Sequence, residues 1–382
     1  MRRSIIASAL VAAAVGLTAA CSSSGTPAAA PAGGQSASQA GAASQAGTAA
    51  PGGGSVLSED LLSAGGSTPT IFNFATYVVS GASGAGIDAK NGLNITIKTA
   101  TSTQSSAALM SGAQHFAASA FGATANAVAA GLPLKIVAAW GLHGPREIVA
   151  AKNITSVSQL QGKPFCITSI GNDSQTGVIE YWKKNGMDPT GLHWVVSGTP
   201  ANSLSYASIN RCAATAATAD SAEQYVAAHP NLHILVDAQQ WVQSIPDLGG
   251  VLVTTDSYIK SDPQVIQSMV TAIIEASRES YGSQATFNGL AQKAFPSGFF
   301  SPALLNRLYG IFRPDMAVNG GMTQSVLQAS YNSWKQYVAN PSAEKTQVTG
   351  YSQIVDPEFV QAALKKLGPV SGTDDTGDFT GA

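Results

Sequence analysis

Short apolar segments alternate with segments of helical periodicity along most of the chain. Strand-like runs such as 135–140 (KIVAAW) and 232–238 (LHILVDA) stand between stretches whose apolar residues recur at helical spacing, as in 173–186 (DSQTGVIEYWKKNG). This order of elements is typical of α/β folds, in which helices cover parallel sheets. We therefore predict an α/β fold.

The alternation occurs twice, which predicts two lobes. In the first set, the predicted strands are 70–75 (TIFNFA), 94–100, 115–119 and 135–140, and the helices between them are 77–93, 102–113 and 123–131. In the second set, strands fall within 163–169, 192–198, 212–219 and 232–238, with helices within 156–161, 173–186, 202–210 and 221–230. The chain returns through 249–260 and is then mostly amphipathic helix. We expect two doubly wound lobes joined by a two-segment hinge, with 68–145 and 250–368 in the first lobe and 146–249 in the second.

The beginning of the chain has the features of a secretory signal. Two arginines precede an apolar run over 5–20, which is short for a membrane span. The sequence TAAC at 18–21 resembles the lipobox of bacterial lipoproteins, with Thr where that motif usually has Leu, Val or Ile. We expect 1–21 to be a lipoprotein signal and Cys21 to carry the lipid. An ordinary signal cleaved after a small residue is the alternative.

Two further segments have little apolar side chain. Residues 22–67 begin with a long stretch of Ala, Gly, Ser, Pro, Gln and Thr, and 369–382 are similarly small and polar. Such segments bury too little apolar surface to offset the entropy lost on ordering the backbone. We expect a disordered tether over 22–67 and a disordered tail over 369–382.

The charge and motif content argues against several classes of function. Charged residues are 11% of the chain and the net charge is −2, without a basic patch for nucleic acid. His229 and His233 are separated by a proline and lack a cysteine or carboxylate cluster, so we predict no metal site. The segment 81–86 (GASGAG) lacks the dinucleotide-binding spacing, and no G-x-S-x-G nucleophile motif is present. We therefore predict no catalytic residue and no cofactor.

Two cysteines remain once Cys21 is lipidated. Cys166 and Cys212 form an even pair in an exported protein, where oxidation is permitted. Both lie on predicted strands, and neighbouring strands would allow a disulfide bridge. The alternative is that they are two small buried apolar side chains.

A polar loop follows the predicted strand that contains Cys166. Its Ser169, Gly171, Asn172 and Ser174 are small, so a ligand could approach the bare N–H groups at the start of the next helix. Ligands of open α/β sheets bind at this carboxyl edge of the strands. Asp173 either contacts a ligand or simply caps its own helix.

Loops of the first lobe should meet the same edge of the sheet. The candidate apolar walls are Phe74, Tyr77, Phe121 and Trp140, and the candidate polar groups are Thr76, Thr103, Ser119 and Thr124. Each aromatic residue could instead belong to the core. Arg146, near the hinge, either pairs with neighbours of Glu147 or reaches an anion, and the sequence leaves both open.

Residues 101–140, followed by 156–174 and 191–198, resemble the extracytoplasmic substrate-binding proteins of ABC importers. The similarity is greatest to the branch that binds aliphatic sulfonates, nitrate or thiamine-pyrimidine precursors, and it extends over roughly 68–368. The family's succession of helix, Gly, strand, A-x-G loop, helix and strand matches 108–140, and its L-x-G-K motif matches 160–163. The resemblance implies the type II periplasmic-binding-protein fold, and it implies that Thr218 and Asp220 face the cleft.

The resemblance also implies a function. We expect a monomeric, lipid-anchored solute receptor at the outer face of the cell membrane, which binds a small organic molecule or an oxyanion between its lobes and has an ABC permease as partner. An enzyme of pyrimidine or thiamine-precursor metabolism on the same fold is one alternative, and a sensory or adhesive lipoprotein is another. The predicted cleft has hydroxyl and amide groups rather than a reactive cluster, which favours a receptor. Scarce charge favours a neutral or singly charged organic ligand.

Overall fold

The computed structural model describes residues 57–63, 70–100, 102–245, 248–339, 344–372 and 374. The predicted signal, the proposed lipidation site Cys21 and most of the predicted tether lie outside these residues. Within the described part of the chain, no helix combines the length and the apolar composition needed to cross a bilayer.

The first of two sheets contains strands from both segments of the predicted first lobe, 68–145 and 250–368. Its strands are β1 (Leu57–Ser63), β2 (Leu93–Thr99), β3 (Phe116–Ser119), β4 (Leu134–Gly141) and β10 (Gly250–Thr255). Their order is β2-β1-β3-β10-β4. Every residue of β10 is buried, as expected for an apolar strand between two neighbours and under helices.

The second sheet is formed by the chain between the two passages of the first. Its strands are β5 (Arg146–Ala151), β6 (Pro164–Ile167), β7 (His193–Val196), β8 (Ala214–Thr218) and β9 (Leu232–Val236). Their order is β7-β6-β8-β5-β9. β5 was not among the predicted strands, although its residues fall within the predicted second lobe.

The α/β fold is confirmed, but neither sheet is wholly parallel. β5 runs antiparallel to β8 and β9, and β10 runs antiparallel to β3 and β4. Each of these strands is the first strand after the chain crosses from one sheet to the other. The crossing itself therefore supplies the antiparallel strand of each sheet.

Helices cover both sheets. They are α1 (Phe74–Val79), α2 (Ile87–Lys90), α3 (Ser102–Ser111), α4 (Phe121–Ala129), α5 (Asp173–Lys184), α6 (Pro200–Ser208), α7 (Ala219–Ala228), α8 (Ala238–Ser244), α9 (Asp256–Ser261), α10 (Pro263–Tyr281), α11 (Gln284–Ala294), α12 (Pro302–Phe312), α13 (Gln324–Ser333) and α14 (Glu358–Leu367). A π-helical turn, Trp334–Val338, continues α13. Below, the first lobe means the first sheet with α1–α4 and α9–α14, and the second lobe means the second sheet with α5–α8.

The prediction of a strand over 70–75 is wrong. This segment forms a short 3₁₀ turn, Ile71–Asn73, that leads into α1. The side chain of Thr70 accepts a hydrogen bond from the N–H of Phe72 at 3.1 Å, which caps the turn and competes with extended pairing.

The strand that takes its place in the first sheet is β1, which lies within the predicted tether. β1 pairs with β2 along all seven of its residues, and Leu61 is fully buried. The low-complexity argument holds for the composition up to residue 55, but 56–62 contain enough Val and Leu to form a buried strand.

The expected disorder of the tail also needs a correction. Asp374 is buried, and its carboxylate accepts hydrogen bonds of 2.9–3.1 Å from the backbone N–H groups of Val318, Asn319 and Gly321. A polar side chain thus fixes this point of the tail against the first lobe, where the apolar composition alone predicted no ordering.

The two crossings between the sheets lie against each other. They comprise 142–145 and 245–249, of which 246–247 are outside the described residues. Gly144 has φ +60°, and a Cβ there would lie 2.7 Å from the Cα of Gly249 and 2.8 Å from the ring of Phe72. Only glycine combines this conformation with so close an approach of the backbones.

Candidate functional site

A cavity of about 390 Å³ lies between the two lobes. Its first-lobe wall is formed by Thr70, Phe72, Asn73, Ser119, Ala120 and Ala123. The second-lobe wall is formed by the loop before α5, the beginning of α5, small residues of β8 and the beginning of α6. The volume and the mixed polar and apolar lining are typical of a small-molecule site.

A second cavity of about 250 Å³ adjoins the first. It lies between α3, β3, α4 and the second-lobe loop, and Ser119, Ala123, Ser169 and Asn172 line both cavities. The hydroxyl of Ser105 lies in its wall, is buried, and has no hydrogen-bond partner among the residues that the structure describes. A buried hydroxyl without a partner is costly, so this group is suited to bond with a ligand.

The loop between β6 and α5 is held by its own polar groups. The hydroxyl of Ser174 accepts from the N–H of Thr168 at 3.0 Å and donates to the side-chain oxygen of Asn172 at 2.7 Å. The side chain of Gln175 accepts from the N–H of Gly171 at 2.7 Å. Ser174 and Asn172 line the cavity, but they also fix the loop in place.

Ser169 differs from its neighbours in this loop. It lines both cavities, and its hydroxyl makes no hydrogen bond to any described residue. Gly171, with φ +80°, lines the smaller cavity and allows the loop to turn there. Of the loop residues, Ser169 is therefore the one whose side chain is most available to a ligand.

An ion pair lies at the base of the larger cavity. Arg146, the first residue of β5, donates to the carboxylate of Asp173, the first residue of α5. The guanidinium also lies 5.1 Å from the ring centroid of Phe72. A cation placed above the face of an aromatic ring is attracted by the ring's electrons. The open question about Arg146 is thus answered in this structure: it pairs with Asp173.

Two of the predicted first-lobe residues lie at the cavities. Ser119 lines both, and Thr124 lines the smaller cavity and donates to Ser119 at 3.2 Å. Thr103 lies in α3, and its side chain is outside the described residues.

The structure places the other predicted first-lobe residues in the core, which corrects their assignment to the cavity walls. The corrected set is Phe74, Thr76, Tyr77, Phe121 and Trp140. Since 70–75 is not a strand, Phe74, Thr76 and Tyr77 fall on α1, where Phe74 packs 4.8 Å from Phe287. Phe121 is fully buried at the first turn of α4.

Trp140 nevertheless contributes to the site indirectly. Its indole N–H donates to the carbonyl of Phe72 at 3.1 Å. The backbone of Phe72 is thereby fixed, and the Phe72 ring in turn packs against Arg146. Trp140 thus helps position the aromatic side chain that forms part of the wall.

The two second-lobe residues that were expected to face the cleft, Thr218 and Asp220, differ in their position relative to the cavity. Thr218 lines the larger cavity, whereas Asp220 is buried behind the wall. The carboxylate of Asp220 accepts from the hydroxyl of Thr70 at 3.0 Å and from the N–H of Ile71 at 2.8 Å. The expectation that Asp220 faces a ligand is therefore corrected: both oxygens bind the first lobe.

Further polar contacts join the lobes on the two sides of the cavity. Beside α7, Arg307 contacts Glu223 at 2.5 Å, and the side chain of Gln224 donates to the carbonyl of Phe299 at 2.6 Å. Beside α5, Lys183 donates to the carbonyl of Tyr337 at 2.6 Å, and Ser333 donates to the carboxylate of Glu180.

Burial perturbs several of the carboxylates near these contacts. It raises the pKa of Glu147 to about 8, with a further contribution from the neighbouring charge of Glu223. Burial likewise raises the pKa values of Glu180, Asp220 and Glu223.

Sequence reasoning missed Thr70, Phe72 and Ser105. Phe72 and Thr70 lay in a segment that was read as a strand, and Ser105 was one of several hydroxyl residues at the start of a predicted helix. In the part of the chain that the structure describes, no group of three or more His, Cys, Asp or Glu side chains could hold a metal ion.

The chain matches a known protein family over about half its length. Residues 81–283 match the model of the family described as NMT1/THI5 like. This match spans α2 to α10 and includes both crossings and the whole second lobe. Among curated protein sequences, none matches the chain.

Solved structures with a similar fold are more distant in sequence. A protein from Bordetella bronchiseptica RB50 superimposes with a TM-score of 0.68 at 18% identity, covering 82% of this chain and 98% of that one. The alkanesulfonate-binding protein SsuA from Xanthomonas axonopodis pv. citri, bound to MOPS, gives 0.63 at 15% identity, covering 80% and 100%. The periplasmic nitrate-binding protein NrtA from Synechocystis PCC 6803 gives 0.62 at 12% identity, covering 84% and 91%. At these identities the likeness supports the fold.

Proposed function

The chain belongs to the NMT1/THI5-like family, and from this premise we propose that it is the solute receptor of an ABC importer. It binds a small organic molecule between its two lobes and presents it to a membrane permease. The observation that carries the proposal is the cavity of about 390 Å³, whose walls come from both lobes. Hydroxyl and amide groups on both walls give a ligand hydrogen bonds on either side.

Ligand-dependent closure follows from this arrangement. A molecule that contacts only one wall does not change the relation of the lobes, whereas one that bonds to both walls favours the closed form. Ser119 on the first wall and Ser169 on the second are suited to this, since both line the two cavities. A permease would then recognise the closed form.

We further propose that the receptor works as a monomer outside the cytoplasm, anchored through a lipid on Cys21. The apolar run over 5–20 and the small, polar composition of 22–55 support an exported protein on a flexible tether. Cys21→Ser should release the protein from membranes into the soluble fraction, and retention of this variant in the membrane would contradict the anchor.

The ligand can be sought directly. Purified protein is denatured, the released small molecules are identified by mass spectrometry, and the compound is added back in a thermal melt. Binding to the native state alone stabilises it by about 2.7 kcal/mol at a hundred times the Kd. We expect a rise in melting temperature with saturable concentration dependence.

A blocked cavity provides the control. Ala123 lines both cavities, so Ala123→Trp should abolish the ligand-induced rise in melting temperature. Ala89→Trp, on the exposed face of α2, should retain it. The receptor function is contradicted if no compound is released and none of a panel of sulfonates, nitrate, pyrimidines and amines raises the melting temperature. It is also contradicted if Ala123→Trp binds as well as the wild type.

A further inference from the structure

The walls of the two cavities carry very little charge. Among the described residues that line them, Arg146 and Asp173 are the charged ones. They are bonded to each other, so the lining contributes one positive and one negative group that nearly cancel. The side chain of Arg146 is only 11% exposed, whereas that of Asp173 is 32% exposed. Of the two side chains, the carboxylate is therefore the more exposed.

The guanidinium of Arg146 is held on more than one side. Asp173 accepts from it, and the Phe72 ring lies against it at 5.1 Å. The carbonyl of Phe72 is in turn fixed by the indole N–H of Trp140. An incoming anion would have to displace Asp173 from a guanidinium that cannot easily move toward it.

The beginning of α5 also carries a negative charge, that of the Asp173 carboxylate. Asn172 stands at the N-cap, and its side chain makes no capping bond to the helix. The N-terminal end of a helix favours an anion, because its first N–H groups are unpaired and the helix dipole is positive there. Asp173, the first residue of α5, supplies that negative charge from within the chain. The carboxylate thus bonds to the guanidinium and also places a negative charge at the beginning of α5, the two features of the cavity that could attract an anion.

We infer that the Arg146–Asp173 pair makes Asp173 a specificity-determining residue, through which the cavity selects uncharged ligands and excludes sulfonates, nitrate and other anions. The inference rests on the proposed receptor function. The rest of the lining consists of hydroxyl groups, such as those of Ser169 and Thr218, of side-chain amides, and of apolar and aromatic residues. These fit an uncharged organic molecule that has an apolar body and a few hydrogen-bonding groups.

The test compares anion binding by the wild type, by Asp173→Asn and by the double variant Asp173→Asn/Arg146→Gln. The probes are propane-1-sulfonate and nitrate, with uncharged propane-1-sulfonamide as the matched probe, and binding is followed by calorimetry and thermal melts at low salt. Removing the carboxylate frees the guanidinium and removes a like charge. We therefore expect Asp173→Asn to bind an anionic probe at least about tenfold more tightly than the wild type. The double variant should lose this gain.

Controls separate this effect from general ones. Asp188→Asn removes an exposed carboxylate elsewhere in the second lobe and should leave anion binding at the wild-type level. If Asp173→Asn is too unstable to measure, Asp173→Ser replaces it and keeps a side-chain oxygen at the first position of α5. The uncharged sulfonamide should not show the tenfold gain in either variant.

Each result decides the inference. It is overturned if the wild type binds propane-1-sulfonate or nitrate as tightly as Asp173→Asn does, or if the variant gains no anion binding. An anionic compound released from the purified wild-type protein would also overturn it, and an uncharged one would support it. If no compound at all binds the wild type, the receptor function fails, while the comparison of the variants still tests the role of Asp173.

Discussion

The first lobe has a large aromatic core, whereas the second lobe combines a smaller core with a disulfide bond. In the first lobe, Phe295 packs against Phe74, Tyr77, Phe299 and Phe300 at centroid distances of 5.0–6.2 Å. In the second lobe, Cys166 is bonded to Cys212 with a Cα–Cα distance of 5.7 Å, which is ordinary for a disulfide.

The contrast extends to the surfaces that meet between the lobes. The second lobe contributes the carboxylates of Asp220, Glu223 and Glu180. The first lobe contributes the hydroxyl, backbone N–H and guanidinium groups that donate to them. The second lobe therefore places its buried acidic groups where they depend on the position of the first lobe. We conclude that the relation between the lobes bears more on the stability of the second lobe than on that of the first.

The largest expected effect is the loss of the disulfide. Replacing both Cys166 and Cys212 by alanine releases a loop of 46 residues, and the chain-entropy estimate for such a loop is about 4 kcal/mol. The loss should fall on the second lobe, because both cysteines lie there. Hydrogen exchange resolved by peptide measures it, with reduction of the wild-type protein as the matched condition.

Two outcomes of this experiment would contradict the proposed difference between the lobes. Equal loss of protection in both lobes would mean that they unfold together, and a loss below about 1 kcal/mol would mean that the smaller core suffices without the bridge.

The second prediction concerns the buried carboxylate that joins the lobes. Asp220→Ala leaves the Thr70 hydroxyl and the Ile71 N–H without their acceptor, which should cost about 2–3 kcal/mol of unfolding free energy. Asp220→Asn, which keeps one acceptor oxygen, should cost less. Urea titration measures the free energy, and small-angle scattering should show a larger radius of gyration for Asp220→Ala than for Asp220→Asn.

If the two substitutions cost the same, the hydrogen bonds to Thr70 and Ile71 do not control the relation of the lobes. An unchanged radius of gyration in both variants would lead to the same conclusion.

Some of this architecture was predictable from sequence, and some was not. The strand, loop and helix from Cys166 to Lys184 were predicted closely, because each has local signals: an apolar run, small polar residues and an amphipathic stripe. Thr70 shows the opposite case, since its capping hydrogen bond turned an apparent strand into a helical turn. Local pattern gave no sign of that competition.

The contacts that define the site join residues far apart in sequence. Arg146 and Asp173 are separated by 27 positions, and Thr70 and Asp220 by 150. Periodicity places each residue on an element but does not say which elements meet. This is why Ser119, Ser169 and Thr218 were found as residues after strands, whereas the partners of Arg146 and Asp220 were not.

The third prediction is a pH dependence that originates in the second lobe. Burial raises the pKa of Glu147 in the folded protein from its ordinary value of 4.5 to about 8, so between these pH values the folded state holds a proton that the unfolded state has lost. Its contribution to stability is fully present below the lower value and is lost as the pH rises toward 8. We expect the unfolding free energy to fall by on the order of 2 kcal/mol between pH 5 and pH 8.

Glu147→Gln removes this titration. The variant should have a shallower slope than the wild type and be more stable than it at pH 8, as measured by urea titration at several pH values. Glu279→Gln, on the exposed face of α10 in the first lobe, is the control and should keep the wild-type slope. An unchanged slope in Glu147→Gln would move the origin of the pH dependence to another group.

The smallest expected effect is the loss of one hydrogen bond from the first lobe to the ligand. The hydroxyl of Ser105 is buried in the wall of the smaller cavity and bonds to no residue in the described part of the chain, so a ligand that reaches this cavity can satisfy it. Ser105→Ala then removes one hydrogen bond to the ligand, worth about 1 kcal/mol or roughly fivefold in Kd. Ser111→Ala, on the exposed end of the same helix, should leave the Kd unchanged.

Without ligand, Ser105→Ala should be no less stable than the wild type, because it removes a buried hydroxyl that bonds to no described residue. Weaker folding together with unchanged binding would show that the hydroxyl serves the first lobe rather than the ligand, and would leave the second-lobe wall as the main source of recognition.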